Sequence, residues 1–137
     1  MSLMQDLADT KLDFVFFLIN KKMSTAKKYT SFKSFYPYYL TEHSDSMNRI
    51  LHFVGTATLL AVVLFAIITG TWKALLLLPV IGYGFAWVGH FFIEKNKPAT
   101  FTYPLYSLAS DFVMFWHILT GQIDKKIEEA NKIILKK

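Results

Sequence analysis

Four histidines stand in the chain, at His43, His52, His90 and His117, and there is no cysteine. Imidazole binds iron, zinc and copper, so the placement of these residues matters. His52 and His90 lie inside two long apolar runs, 19 residues before and 19 residues after a turn centred near Thr71. If those runs form an antiparallel helical hairpin, the two rings lie at one depth, roughly 28 Å from the turn at 1.5 Å per residue. The same count sets Asn48 level with Glu94. Each is four residues from its histidine and shares a helix face with it. Glu42 and His43 lie just upstream, near enough to fold over this end. Polar groups at membrane depth are costly unless satisfied, which makes them functional candidates. Two imidazoles and a carboxylate with open positions suit non-haem Fe(II) oxygen chemistry. The same groups could instead hydrogen-bond one another and lipid headgroups.

Positioning them falls to the two runs. No Asp, Glu, Lys or Arg occurs from Ile50 to Trp72, and after Lys73 the next is Glu94. Each run is about the 20 residues that a helix needs to cross hydrocarbon. The expected fold is all-α: an integral membrane hairpin with flanking amphipathic or interfacial helices. The first span is expected over Asn48 to Thr69, with Ser44, Asp45 or Ser46 as its cap. Gly70 and Thr71 make the turn. The second span runs from Lys73 to Glu94, with Pro79 as a kink. Gly82 and Ala86 form a small-xxx-small pair that lets a helix come close, so the hairpin could form a homo-oligomer.

The flanks divide the chain into residues 1–28, 29–121 and 122–137. Residues 3–20 read as an amphipathic helix followed by a basic linker. The segment from Tyr29 to Thr41 is rich in aromatics suited to an interfacial belt, and Pro37 breaks any long helix there. A helix is expected from Pro104 to a stop at Gly121, carrying one stripe of Ser107, Ser110, Asp111, Met114 and His117. The tail is a charged amphipathic helix with Glu128 and Lys132 at i,i+4.

The net charge of +5 is read as topology rather than nucleic-acid binding. Seven Lys/Arg precede Ile50, seven follow Glu94, and only Lys73 lies between, which puts both termini in the cytosol. That fits a bacterial inner membrane or endoplasmic reticulum protein whose basic ends attract anionic lipid. The N-terminus, with Asp6, Asp9 and Asp13, is not a secretory signal. A glycine-rich phosphate loop and a Gly-x-Ser-x-Gly elbow are both lacking. Ser44 and Ser46 beside His43 read as caps rather than as a hydrolase. Asp111 with His117 reads as a solvated stripe rather than as a proton relay.

The segments EHSDSMNRILHFVG (42–55) and WVGHFFIEKNKPA (87–99) resemble the Mpo-like family, named for the yeast 2-hydroxy-fatty-acid dioxygenase. The family pattern falls on His43, Asn48, His52, Gly89, His90, Glu94, Lys95, Pro98 and Ala99, and the likeness covers about residues 29–121. It implies a membrane Fe(II)-dependent dioxygenase of fatty acid α-oxidation, which removes one carbon from a 2-hydroxy fatty acid. On that reading His43, His52 and His90 bind Fe(2+). Glu94 is a fourth ligand or orients an imidazole, and Asn48 hydrogen-bonds a ligand or substrate. His117 is dispensable. The competing reading is a non-enzymatic hairpin that oligomerises or binds anionic lipid.

Overall fold

The computed structural model of the protein describes residues 28–136, together with Asp13. The amphipathic helix expected at 3–20 lies outside the described residues except for Asp13, which is helical and exposed. The chain divides into two compact units, Met1–Thr30 and Ser31–Lys137, and every helix below belongs to the second. No strand occurs among the described residues.

Helix α1 spans Phe32–Thr41 and begins where the Ser31 side chain accepts from the Ser34 N–H at 3.3 Å. Pro37 sits inside it. Pro37, expected to break any long helix, is accommodated within these ten residues. A proline at this point cannot donate to the carbonyl of Lys33. Lys33 is exposed, so water can satisfy that oxygen.

Helix α2 spans Ser46–Thr69 and is capped by Asp45, whose carboxylate accepts from the Met47 N–H at 2.7 Å. It ends on Gly70 at φ 68°, a left-handed conformation that favours glycine. The returning arm of the hairpin has three windings: a 3-10 segment over Trp72–Leu77, helix α3 over Leu78–Val88, and a π turn over Gly89–Glu94. Pro79, expected to kink one continuous helix, stands instead in the first turn of α3. There an N–H has no intrahelical acceptor to lose. The chain leaves the π turn through Lys95 at φ 53° and a short 3-10 turn over Ala99–Phe101. Helix α4 then spans Pro104–Leu119, with Gly121 at φ 69° as its stop, and α5 spans Ile123–Leu135. Both fall where expected, and Lys132 Nζ reaches Glu128 at 2.6 Å.

Helix α2 is the centre of the packing. It lies against α3 along the hairpin and against α4 on another side, while α1 packs on α4 and α5. Helices α3 and α4 both lean on α2 but scarcely on each other. The core is small and sits at the end of the hairpin away from its turn: Phe35, Tyr39, Leu40 and Met114 are buried there. Most of the hairpin is not covered. Ser46–Thr69 and Trp72–Glu94 are long and apolar enough to cross a membrane, and only 22% and 11% of their most apolar windows are buried. A core helix of a water-soluble domain would be mostly buried. Ile68 and Leu76 are 73% and 78% exposed, the outward apolar surface expected against lipid.

Candidate metal centre

His43, His52 and His90 converge. One potential ligand nitrogen from each lies within 4.8 Å of the others, and all three side chains are buried. The ring centroids are 4.5, 4.6 and 5.3 Å apart. The equal-depth argument for His52 and His90 therefore holds. His43 joins them because the short turn between α1 and α2 drops it over the end of the hairpin. Arg49 fixes that turn by donating to the carbonyls of His43 and Ser44 at 2.9 and 2.6 Å.

Each ring is oriented through its outer nitrogen. His43 Nδ1 lies 2.6 Å from the carbonyl oxygen of Tyr39. A carbonyl only accepts, so Nδ1 carries the proton and Nε2 is left with a bare lone pair. His52 Nδ1 donates to Asp111 Oδ1 at 2.8 Å. His90 Nδ1 donates to Asn96 Oδ1 at 2.7 Å. The amide of Asn96 is held in that sense by its nitrogen, which donates to the carbonyl and carboxylate of Glu42 at 3.0 and 3.3 Å. All three rings thus turn Nε2 away from their anchors. His43 and His52 place Nε2 against Nε2 at 3.1 Å. Two lone pairs at that distance repel unless a cation lies between them. Two nitrogens bound about 2.0–2.1 Å from one ion stand about 3.0–3.4 Å apart, so the spacing of the His43 and His52 nitrogens fits a metal ion, and the His90 nitrogen lies within 4.8 Å of both.

Asp111 was missed by sequence reasoning, which left it on a solvated stripe. It accepts from His52 Nδ1 and also from the hydroxyl of Tyr39. A carboxylate behind a ligand imidazole fixes its tautomer and raises its basicity. The stripe on α4 is turned inward: Ser107, Ser110 and Met114 are buried. Its period was visible in sequence, but not which neighbour it would face. Asn96 was missed too, since nothing local distinguishes it from a loop residue. His117 is apart from the cluster, with Nδ1 against the Tyr36 hydroxyl at 2.8 Å.

Glu94 and Asn48 have other places. Glu94 Oε1 accepts from the Asp45 N–H at 2.7 Å and, more distantly, from Asn48 Nδ2 at 3.4 Å; its Oε2 accepts from Ser44 Oγ at 3.2 Å. The carboxylate thereby ties the π turn to the start of α2, where the helix dipole favours negative charge. Asn48 is fully buried, and its Oδ1 has no partner among the described residues. That oxygen occupies the space a side chain at Gly89 would need, with Asn48 Cγ only 2.9 Å from a β-carbon built there. The glycine before His90 is what lets the two helices close at this level.

Burial shapes the groups around the cluster. It pushes the Tyr39 phenol well above its usual range, helped by the Asp111 charge, so the hydroxyl stays a donor. Burial and then the neighbouring His52 and His90 hold His43 well below the usual imidazole range, in its neutral ligating form. Burial, with Glu94 adding to it, raises the Glu42 carboxyl.

The family model described as 2-hydroxy-palmitic acid dioxygenase Mpo1-like matches residues 29–123. Comparison with curated proteins and with solved structures gave no match. The matched stretch holds the three imidazoles and also Asp111 and Asn96, the partners that orient two of them.

Proposed function

We propose that this chain, which belongs to the 2-hydroxy-palmitic acid dioxygenase Mpo1-like family, is a membrane-embedded Fe(II)-dependent dioxygenase that shortens 2-hydroxy fatty acids by one carbon. The observation that carries the reading is the trio of buried imidazoles, each committed through Nδ1 to an oxygen acceptor. His43, His52 and His90 would hold the iron through Nε2. An Fe(II) held there with open positions would bring oxygen and substrate together, with the 2-hydroxy acid as the net electron donor and its carboxyl carbon as the carbon lost. Everything else falls to the chain's own residues. Asp111 holds His52 in the ligating tautomer, and Tyr39 holds Asp111. Asn96 does the same for His90, with Glu42 behind it. Asn48 and Glu94 act by position, setting α2 against the π turn. The aromatic rings of α1 cover the cluster, and Tyr39 stacks on His43 at 4.1 Å between centroids, which keeps bulk water off that face.

A cluster at one end of a hairpin suits an amphiphile whose head reaches the interface while its tail stays in hydrocarbon. The distribution of Lys and Arg supports cytosolic termini, with the cluster at the cytosolic end. The direct test is purified protein with Fe(II), oxygen and 2-hydroxy-palmitic acid, read by mass spectrometry of the acids. The expected product is the acid one carbon shorter, absent with His90→Ala although that variant keeps its helical content. Iron bound in stoichiometric amount without turnover would leave the centre standing and remove the substrate assignment. Failure to bind any divalent metal would end the dioxygenase reading.

A further inference from the structure

A cavity of about 450 Å³ opens beside the cluster and shares His52 and Asp111 with it. That volume is in the range of small-molecule sites. It fills the gap left because α3 and α4 lean on α2 without closing on each other. Its lining follows helix turns. Along α2 the wall is His52, then Gly55 and Thr56, then Leu59. Along α3 it is Ala86, then Gly82, then Leu78, and along α4 it is Asp111, then Leu108, then Leu105. The α2 and α3 rows run the same way, with Gly55 beside Phe85 and Gly82 beside Leu59, so the cavity is a groove that follows these two helices for about 10 Å from His52 to Leu59 at 1.5 Å per residue. Its polarity is graded. The His52 and Asp111 end carries the charged and metal-facing groups, and the rest is almost wholly aliphatic or aromatic. His52 Nδ1 and the Tyr39 hydroxyl both donate to Asp111 Oδ1 and disperse part of its charge at that end.

We infer that this groove is the subsite for the alkyl chain of a single-chain lipid acid, head at His52 and tail towards Leu59 and Leu78, and that Gly82 and Ala86 set the chain length it accepts. This rests on the proposed dioxygenase reading for the identity of the head, but the groove itself does not depend on turnover. Gly82 and Ala86, read from sequence as a helix-packing pair, are the small side of the groove. A β-carbon at Gly82 would meet Leu59 Cδ1 at 3.8 Å, an ordinary contact, so a larger side chain can start there and must then extend into the groove. Gly84, on the same helix, does not line the groove, and a β-carbon there meets nothing within 4 Å.

The experiment uses the full chain in lipid nanodiscs and a 2-hydroxy-palmitic acid analogue carrying a diazirine halfway along its chain. After irradiation, peptide mass spectrometry should place the label on segments carrying Gly82, Ala86, Leu105 and Leu108. Unmodified 2-hydroxy-palmitic acid should compete it away. Gly82→Phe should weaken competition by the long acid about ten-fold, the worth of some two buried methylenes, and leave competition by a short-chain 2-hydroxy acid unchanged. Ala86→Leu should act in the same direction, and Gly84→Phe should do neither. Labelling spread over the outward residues Leu64, Ile68 and Leu76 without competition would overturn the inference, as would equal effects of Gly82→Phe and Gly84→Phe. Groove labelling without turnover of the parent acid would count against the reaction and for the groove. Turnover with labelling elsewhere would do the reverse.

Discussion

The Asp111 carboxylate joins His52, a candidate metal ligand, to the buried Tyr39, and it also lines the cavity beside them. Its two donors, His52 Nδ1 and the Tyr39 hydroxyl, come from different helices, so the residue holds α4 to both α2 and α1 at the level of the cluster. Asp111→Asn keeps the shape but removes the charge that favours the ligating tautomer of His52. Loss of such a partner costs about 10–100-fold in metal affinity. Competition against a chelator should show that weakening, while His117→Ala, whose ring is apart from the cluster and meets the Tyr36 hydroxyl, should leave affinity unchanged. Equal effects of the two substitutions would show that Asp111 does not act through His52.

At the scale of elements, α1 is the lid and α5 is what holds it. α1 brings the Tyr39 ring and carbonyl to the cluster, and α5, on which Ala130 is buried, packs along it. The contribution of α5 is to fix the helix that touches the imidazoles. Ala130→Glu would place an unpaired carboxylate in that contact, at a cost of several kcal/mol if it stayed buried. The expected result is undocking of α5. Hydrogen exchange over Phe32–Thr41 should then quicken at least ten-fold, while the amides of Ser46–Thr69 stay protected. Unchanged exchange in α1 would mean that the lid is held by α4 alone.

For the whole molecule, the unbalanced burial is the informative feature. The packed part sits at one end, and the hairpin projects from it with its apolar faces uncovered. In lipid that arrangement is stable, because backbone polar groups are satisfied within the helices and the side chains match the solvent. The proposed orientation, with cytosolic termini, rests on the seven, one, seven distribution of Lys and Arg. The absence of native cysteine makes single-cysteine labelling clean. In intact cells an impermeant maleimide should modify a cysteine placed at Trp72 and spare one placed at Lys136. The opposite pattern would invert the topology and put the cluster on the outer side.

The amino-acid sequence by itself determined the hairpin, its length and the common depth of His52 and His90. These are local and periodic properties: apolar runs fix the spans, Gly70 and Gly121 fix two of the stops, and 1.5 Å per residue fixes the level. The first cap was narrowed to Ser44, Asp45 or Ser46, and it is Asp45 in the structure. The sequence also located α4 and α5, and the match to the family segments located His43. Tertiary structure alone decided which groups stand behind the rings. The stripe on α4 was legible as a period, yet a period does not say whether its far side is water or His52. The winding of Gly89–Glu94 was equally hidden. Counting Glu94 as one α turn from His90 assumed 3.6 residues per turn, whereas the π turn widens the helix there and Glu94 reaches the start of α2. The role of Asn96 depends on a carbonyl 54 residues away in the chain. The groove exists only because two helices share a third without closing on each other, and that is a property of packing, which no single helix carries in its own sequence.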